Sequence, residues 1–302
     1  MAGVVATQLL WPLVSAAQGG GAPTFVMQAA IANHAGQVRA FTQVPPDLSP
    51  VKLAGITKAF GMTGNLGPRV GGELGLEQGG KMLRVHSATG SVMFMDTTKM
   101  GTPTPKALPT AAVGGASADK FAHDNALLPP EASQASVETV NLFTGSKRGG
   151  TPTSTPVEMQ VNYHFALNGK PVLGPGAKVC VFLGQGGEVV GFNKYWRNVT
   201  QGRQVTTRSG SAAFSELQRS PRFMARAGVL AVKQVRITKM TACYWAEDIG
   251  RGAMEVVPAY VFEGNYQTVD GNIIPFVQVI PADATQTEKV PSSAPQPARP
   301  EG

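Results

Sequence analysis

The side chains able to carry chemistry are few and far apart. Histidine occurs at His34, His86, His123 and His164, without the i, i+4 or short-gap partners that a metal site or a catalytic triad usually shows. Cys180 in KVCVFL and Cys243 in TACYW both lie inside apolar, strand-like runs, with no C-x-x-C spacing. Neither H-E-x-x-H nor G-x-S-x-G occurs. The glycine-rich pieces at 64–75 and 184–191 suggest phosphate loops, but neither opens a helix after a parallel strand, and no Gly-Lys-Ser/Thr follows. Glu247 and Asp248 are adjacent, so an extended chain points them to opposite faces and they make a poor acid/base pair. The expectation is a non-catalytic protein that needs no metal and no cofactor.

Binding chemistry is better represented. The chain carries a formal net charge of +7, and residues 194–251 hold eleven Lys or Arg against three Asp or Glu, so the basic character is regional. Lys194, Arg197, Arg203 and Arg208 interleave there with Tyr195 and Trp196, a mixture that attracts an acidic protein, an anionic polymer or a membrane surface. Nucleic acid is the least favoured partner, because no RNA-recognition motif or zinc finger accompanies the charge. Trp196 and Arg197 are the expected interface anchors. A second candidate is the polar side of residues 157–167, where Glu158, Gln160, Asn162 and His164 alternate with apolar neighbours and form a ligand platform or a plain solvated face.

Elements must position these groups. In DLSPVKLAGITKAFG, Ser49 caps a helix, Pro50 suits its first position and Gly61 ends it. Residues 81–86 and 91–96 read as a hairpin. A second helix is expected within 117–126, capped by Ser117 and stopped before Pro129, and a third over 211–219. Strands are expected at 137–143, 157–167, 177–183, 188–192, 232–246, 255–263 and 273–280, with Asn168-Gly169 as a hairpin turn.

Residues 1–22 contain an apolar run from Val4 to Val14 followed by small residues, the h-region and cleavage site of a secretory signal without its basic start, or else a packed N-terminal segment. A first unit spans 23–100, a Pro/Thr-rich linker 101–109, a second unit 110–282, and a polar, Pro-rich tail expected to be disordered 283–302. Export would place the protein outside the cytoplasm. There a Cys180–Cys243 bridge is the alternative to two buried thiols.

The run LNGKPVLGPGAKVCVFLGQGGEVVGF resembles the sheet of PepSY and fungalysin/thermolysin-propeptide-like domains. Asn168, Gly169, Pro171, Val172 and Gly174 match the turn of that pattern, and Val179, Val181, Gly187 and Val189 its hairpin. The resemblance implies an α+β fold of two units of curved antiparallel sheet packed with short helices, the second PepSY-like. It also implies an extracytoplasmic module that regulates or inhibits a separate protein. The alternative is a structural or assembly subunit making homotypic contacts.

Overall fold

The computed structural model describes residues 22–34, 37–102, 107–145, 153–249 and 254–286. The strands are β1 (Thr24–Met27), β2 (Val38–Gln43), β3 (Gly67–Pro68), β4 (Glu73–Gln78), β5 (Lys81–His86), β6 (Val92–Asp96), β7 (Ala132–Thr144), β8 (Thr153–Leu167), β9 (Lys170–Leu173), β10 (Lys178–Leu183), β11 (Val189–Tyr195), β12 (Val199–Val205), β13 (Val232–Ala246), β14 (Glu255–Thr268) and β15 (Ile273–Pro281). The helices are α1 (Pro50–Ala59), α2 (Ala111–Asp124), α3 (Gly210–Arg219) and α4 (Pro221–Val229).

All fifteen strands belong to one mixed sheet, ordered β12-β2-β14-β13-β9-β8-β10-β11-β6-β5-β4-β3, with β1 beside β13, β15 beside β14 and β7 beside β8. The fold is sheet-dominated, 49% strand against 19% helix among the described residues, and this overturns the expectation of an α+β fold with two helix-packed curved sheets. Strand length is the physical reason. On one edge β8, β13 and β14 each outrun any single partner, so that edge serves two. β13 pairs with β1 over 234–237 and with β9 at Tyr244 and Trp245, while β14 pairs with β15 over 259–267 and with β2 at Glu255 and Val256. These shared edges splice the sheet into one.

Pairing also crosses the division expected at 101–109. β6 bonds to β11, and β1 and β2 join β13, β14 and β12. The hydrophobic material collects in two main clusters. One lies under α1 and α2 around Phe94, Val161, Phe165, Val181 and Phe192, the other under α3 and α4 around Phe223, Ile237, Tyr260 and Phe262.

Local chemistry explains the helices. Ser49 caps α1 by accepting from the Lys52 amide, with Pro50 at the first position. In α2 the cap is Thr110, accepting from the Val113 amide at 3.4 Å, and not Ser117. The early start was hidden by AAVGGASA, which reads as linker. Its glycines are there for close packing, since a Cβ on Gly114 would sit 2.2 Å from the Met159 sulfur. α4 had no counterpart among the expected elements. Ser220 caps it, with Pro221 following. At the other end of the chain, Asp283 is buried and its carboxylate accepts from Arg203, so residues 283–286 of the expected disordered tail belong to the fold. Residues 287–302, like residues 1–21 of the expected N-terminal segment 1–22, lie outside the described residues.

Candidate functional site

α1 and α2 cover one face of the β4–β8 and β10–β11 region and leave the other without a helix. Antiparallel register puts directly paired residues on the same face, so two rows can be traced across the uncovered side. One runs Arg84, Met93, Asn193, Cys180, Asn162, Ser136. The next runs Met82, Met95, Gly191, Phe182, Gln160, Glu138. The face is therefore half apolar and half amide. Met82, Met93, Met95 and Phe182 are all half-buried, and among the described residues none of them joins a buried apolar cluster; Gly191 leaves room for the Phe182 ring, which passes 3.0 Å from where a Cβ would stand.

The polar half is internally bonded. Gln160 Nε2 donates to Asn162 Oδ1 at 2.6 Å, Asn162 Nδ2 donates to Ser136 Oγ at 3.0 Å, and the Ser136 hydroxyl donates to Glu138 Oε1 at 2.8 Å. The Cys180 thiol donates to Asn162 Oδ1 at 3.1 Å, and burial pushes its pKa up, which keeps the sulfur protonated and a poor nucleophile. His164 is exposed, its Nε2 3.0 Å from Ser133 Oγ. Such an arrangement offers adaptable thioethers, an aromatic ring and amides. It has the chemistry of adhesion.

The expected site residues are thus separated. Gln160, Asn162 and His164 do line the open face, but Glu158 is only 5% exposed, accepts from the Gly101 amide at 3.3 Å and has its pKa raised by burial. Trp196 and Arg197 are 1% exposed and cannot anchor a partner. Trp196 stacks on Phe165 with centroids 4.3 Å apart, and Arg197 donates through Nη2 to the Glu247 carbonyl at 2.6 Å. Arg203 is engaged by Asp283 at 2.9 Å and by Glu255 at 3.4 Å, and Arg208 by Glu216 and by the carbonyls of Asp283 and Gln286. The basic stretch fastens the chain to itself. The Cys180–Cys243 bridge is also absent: both thiols are free, Cys243 fully buried in β13 and Cys180 on β10, with β8 and β9 between these strands in the sheet order.

Lys194 belongs to the helix-covered side, paired with Val92 and Val179. Burial, helped by Lys52 of α1, pushes its ammonium down to about 8. The folded pKa lies below the unfolded one, so the unfolded chain binds the extra proton between the two. The cost is present in full below pH 8 and is relieved as pH rises toward about 10.4. Lys194→Met is expected to raise the melting temperature at pH 7 and to flatten the gain between those two pH values, as followed by thermal unfolding.

What the sequence missed was the methionine stripe. Met82 in KMLRVH and Met93 and Met95 in VMFMD alternate at period two, which was signal enough for a face but not for whether a helix would cover it. On the helix side, an open groove of about 540 Å³ between α1 and the end of α2 is lined by Asp47, Lys52, Lys58 and Asp124 among others, a mixture of both charges. Among the described residues no three His, Cys, Asp or Glu side chains gather as metal ligands, and no helix is long and apolar enough to cross a membrane.

No family model matches the chain, and no curated protein matches it. Among solved structures, one similar chain is an uncharacterized protein from Eubacterium rectale ATCC 33656, with 9% sequence identity and a TM-score of 0.45 over 84% of this chain and 86% of that one. Likeness at that level says nothing of activity.

Proposed function

We propose that the protein is a non-catalytic, extracytoplasmic module that binds a separate protein, in a regulatory or inhibitory role, through the face of the sheet opposite α1 and α2. The observation that carries this reading is the juxtaposition of half-buried Met82, Met93, Met95 and Phe182 with the amides of Gln160, Asn162 and Asn193 on one face, outside every buried apolar cluster of the described residues. Flexible thioethers repack around different partner surfaces at little cost, and this suits a binding face better than a core. The extracytoplasmic part rests on the apolar N-terminal sequence and on the PepSY-like run. An acidic partner is no longer called for, because Arg197, Arg203 and Arg208 are used within the chain.

Copurification from native cells tests the reading. Met82→Lys with Met95→Lys places two charges in the apolar half without touching the helix-covered core. It should lower affinity for the copurifying protein by at least about tenfold, or roughly 1.4 kcal/mol. Unchanged capture by a variant with native circular dichroism would overturn the proposal.

One observation favours a second reading, homotypic assembly. Other free edges of the sheet are blunted: β3 has two residues, β12 is interrupted by a register shift between Gln201 and Gln204, and β15 contains Pro275 and Pro281. β7 is a thirteen-residue edge without proline, longer than these although its pairing with β8 shifts register between Gln134 and Ser136 and between Val140 and Asn141, with Phe143 71% exposed at its end. A mass that rises with concentration in sedimentation equilibrium would favour strand-to-strand pairing there, and a constant monomer would favour the binding module.

A further inference from the structure

We propose that the tip formed by the end of α4, the β14–β15 turn and the start of β13 rests on an anionic membrane surface. Three β-branched side chains project there with nothing over them: Val229 is 88% exposed, Val269 66% and Ile273 67%. Turns ordinarily carry Gly, Asn, Asp or Ser at such places, because a solvated apolar side chain gains nothing. The groups are held together, since the Val269 amide donates to the Ala231 carbonyl at 2.9 Å, just past α4.

Cations surround them. Arg222, Arg226 and Val229 recur at helical spacing on the exposed side of α4, whose other side buries Phe223 and Ala227. Lys233 is exposed at the start of β13, and Asp270 is the carboxylate of the turn, held by Thr268 and Asn272. Excess positive charge beside projecting aliphatic groups is complementary to anionic headgroups over acyl chains. A protein partner would more naturally present knobs to a hollow, whereas a bilayer accepts knobs.

Flotation of the full chain with vesicles tests this, comparing phosphatidylcholine alone with phosphatidylcholine mixed with phosphatidylglycerol. The wild type should float with the anionic vesicles. Arg222→Gln with Arg226→Gln and Lys233→Gln should weaken that binding on the order of 100-fold, about fivefold per cation, and Val229→Ser with Val269→Ser and Ile273→Ser should weaken it several-fold. Val51→Ser with Val70→Ser, equally exposed but outside the tip, should leave it unchanged. All these side chains are exposed, so near-UV circular dichroism should stay native. The proposal is overturned if the cation variant floats as the wild type does, if no vesicle binds, or if polyglutamate competes the protein off the vesicles and binds it more tightly, the mark of an acidic protein partner.

Discussion

Trp196→Ala is expected to destabilise the protein by about 3 to 5 kcal/mol, the range for emptying a large aromatic site in a core that cannot collapse around it. Its indole is 1% exposed and stacked on Phe165, with rings 4.3 Å apart and 25° from parallel. Phe165 belongs to β8, which also pairs with β9 at Val172. Trp196 therefore supports the place where β9 hands the sheet on to β13. Urea unfolding with an unchanged m value would show the loss as a shift in midpoint. A change under about 1 kcal/mol would mean that the ring is replaceable by relaxation and that the junction is held by other contacts.

Gly174→Ala is expected to cost about 2 to 5 kcal/mol, from two independent penalties. The residue has φ +111, outside the regions open to residues with a Cβ, and its added methyl would stand 2.3 Å from the Ala246 carbonyl oxygen at the end of β13. That neighbour is backbone, so relief requires β9 and β13 to part. Gly169→Ala is the matched comparison. Gly169 has φ +70 but nothing within 4 Å of a Cβ, so only the conformational part remains, about 1 kcal/mol. Equal melting temperatures for the two variants would show that the approach to β13 carries no strain. Gly176, whose Cβ would fall 2.1 Å from the Glu247 carbonyl oxygen, lies in the same loop. That carbonyl is the one to which Arg197 donates. Glycine in the loop and a buried guanidinium thus close the same seam from two sides.

Local signals in the sequence were sufficient wherever a residue's neighbours along the chain decide its conformation. Ser49-Pro50 begins α1, Asn168-Gly169 turns β8 into β9 with positive φ at both residues, and period-two alternation located β5, β8 and β13, the last with its observed ends at Val232 and Ala246. The same alternation assigned Gln160, Asn162 and His164 to one side of β8. Alternation stops there, because it sorts residues into two faces and cannot say which strands will lie alongside or which face a helix will cover.

Those were decided by tertiary structure. Residues 194–208 looked like an interface because charge and aromatic rings are common at interfaces, yet the fold turned Trp196 inward against Phe165 and gave Arg203 and Arg208 a partner in Asp283, 80 and 75 positions away. Met82 and Met95 pair within the β5–β6 hairpin, but Phe182 joined their row only when β6 bonded to β11 and β11 to β10. Cys180 and Cys243 fell on strands that never meet. By itself the sequence determined the type of the elements it located, their turns, the regional charge and the period of strands such as β5 and β8, all short-range properties. Pairing across the sheet decided its continuity and the make-up of its open face, since those depend on contacts between residues far apart in the chain.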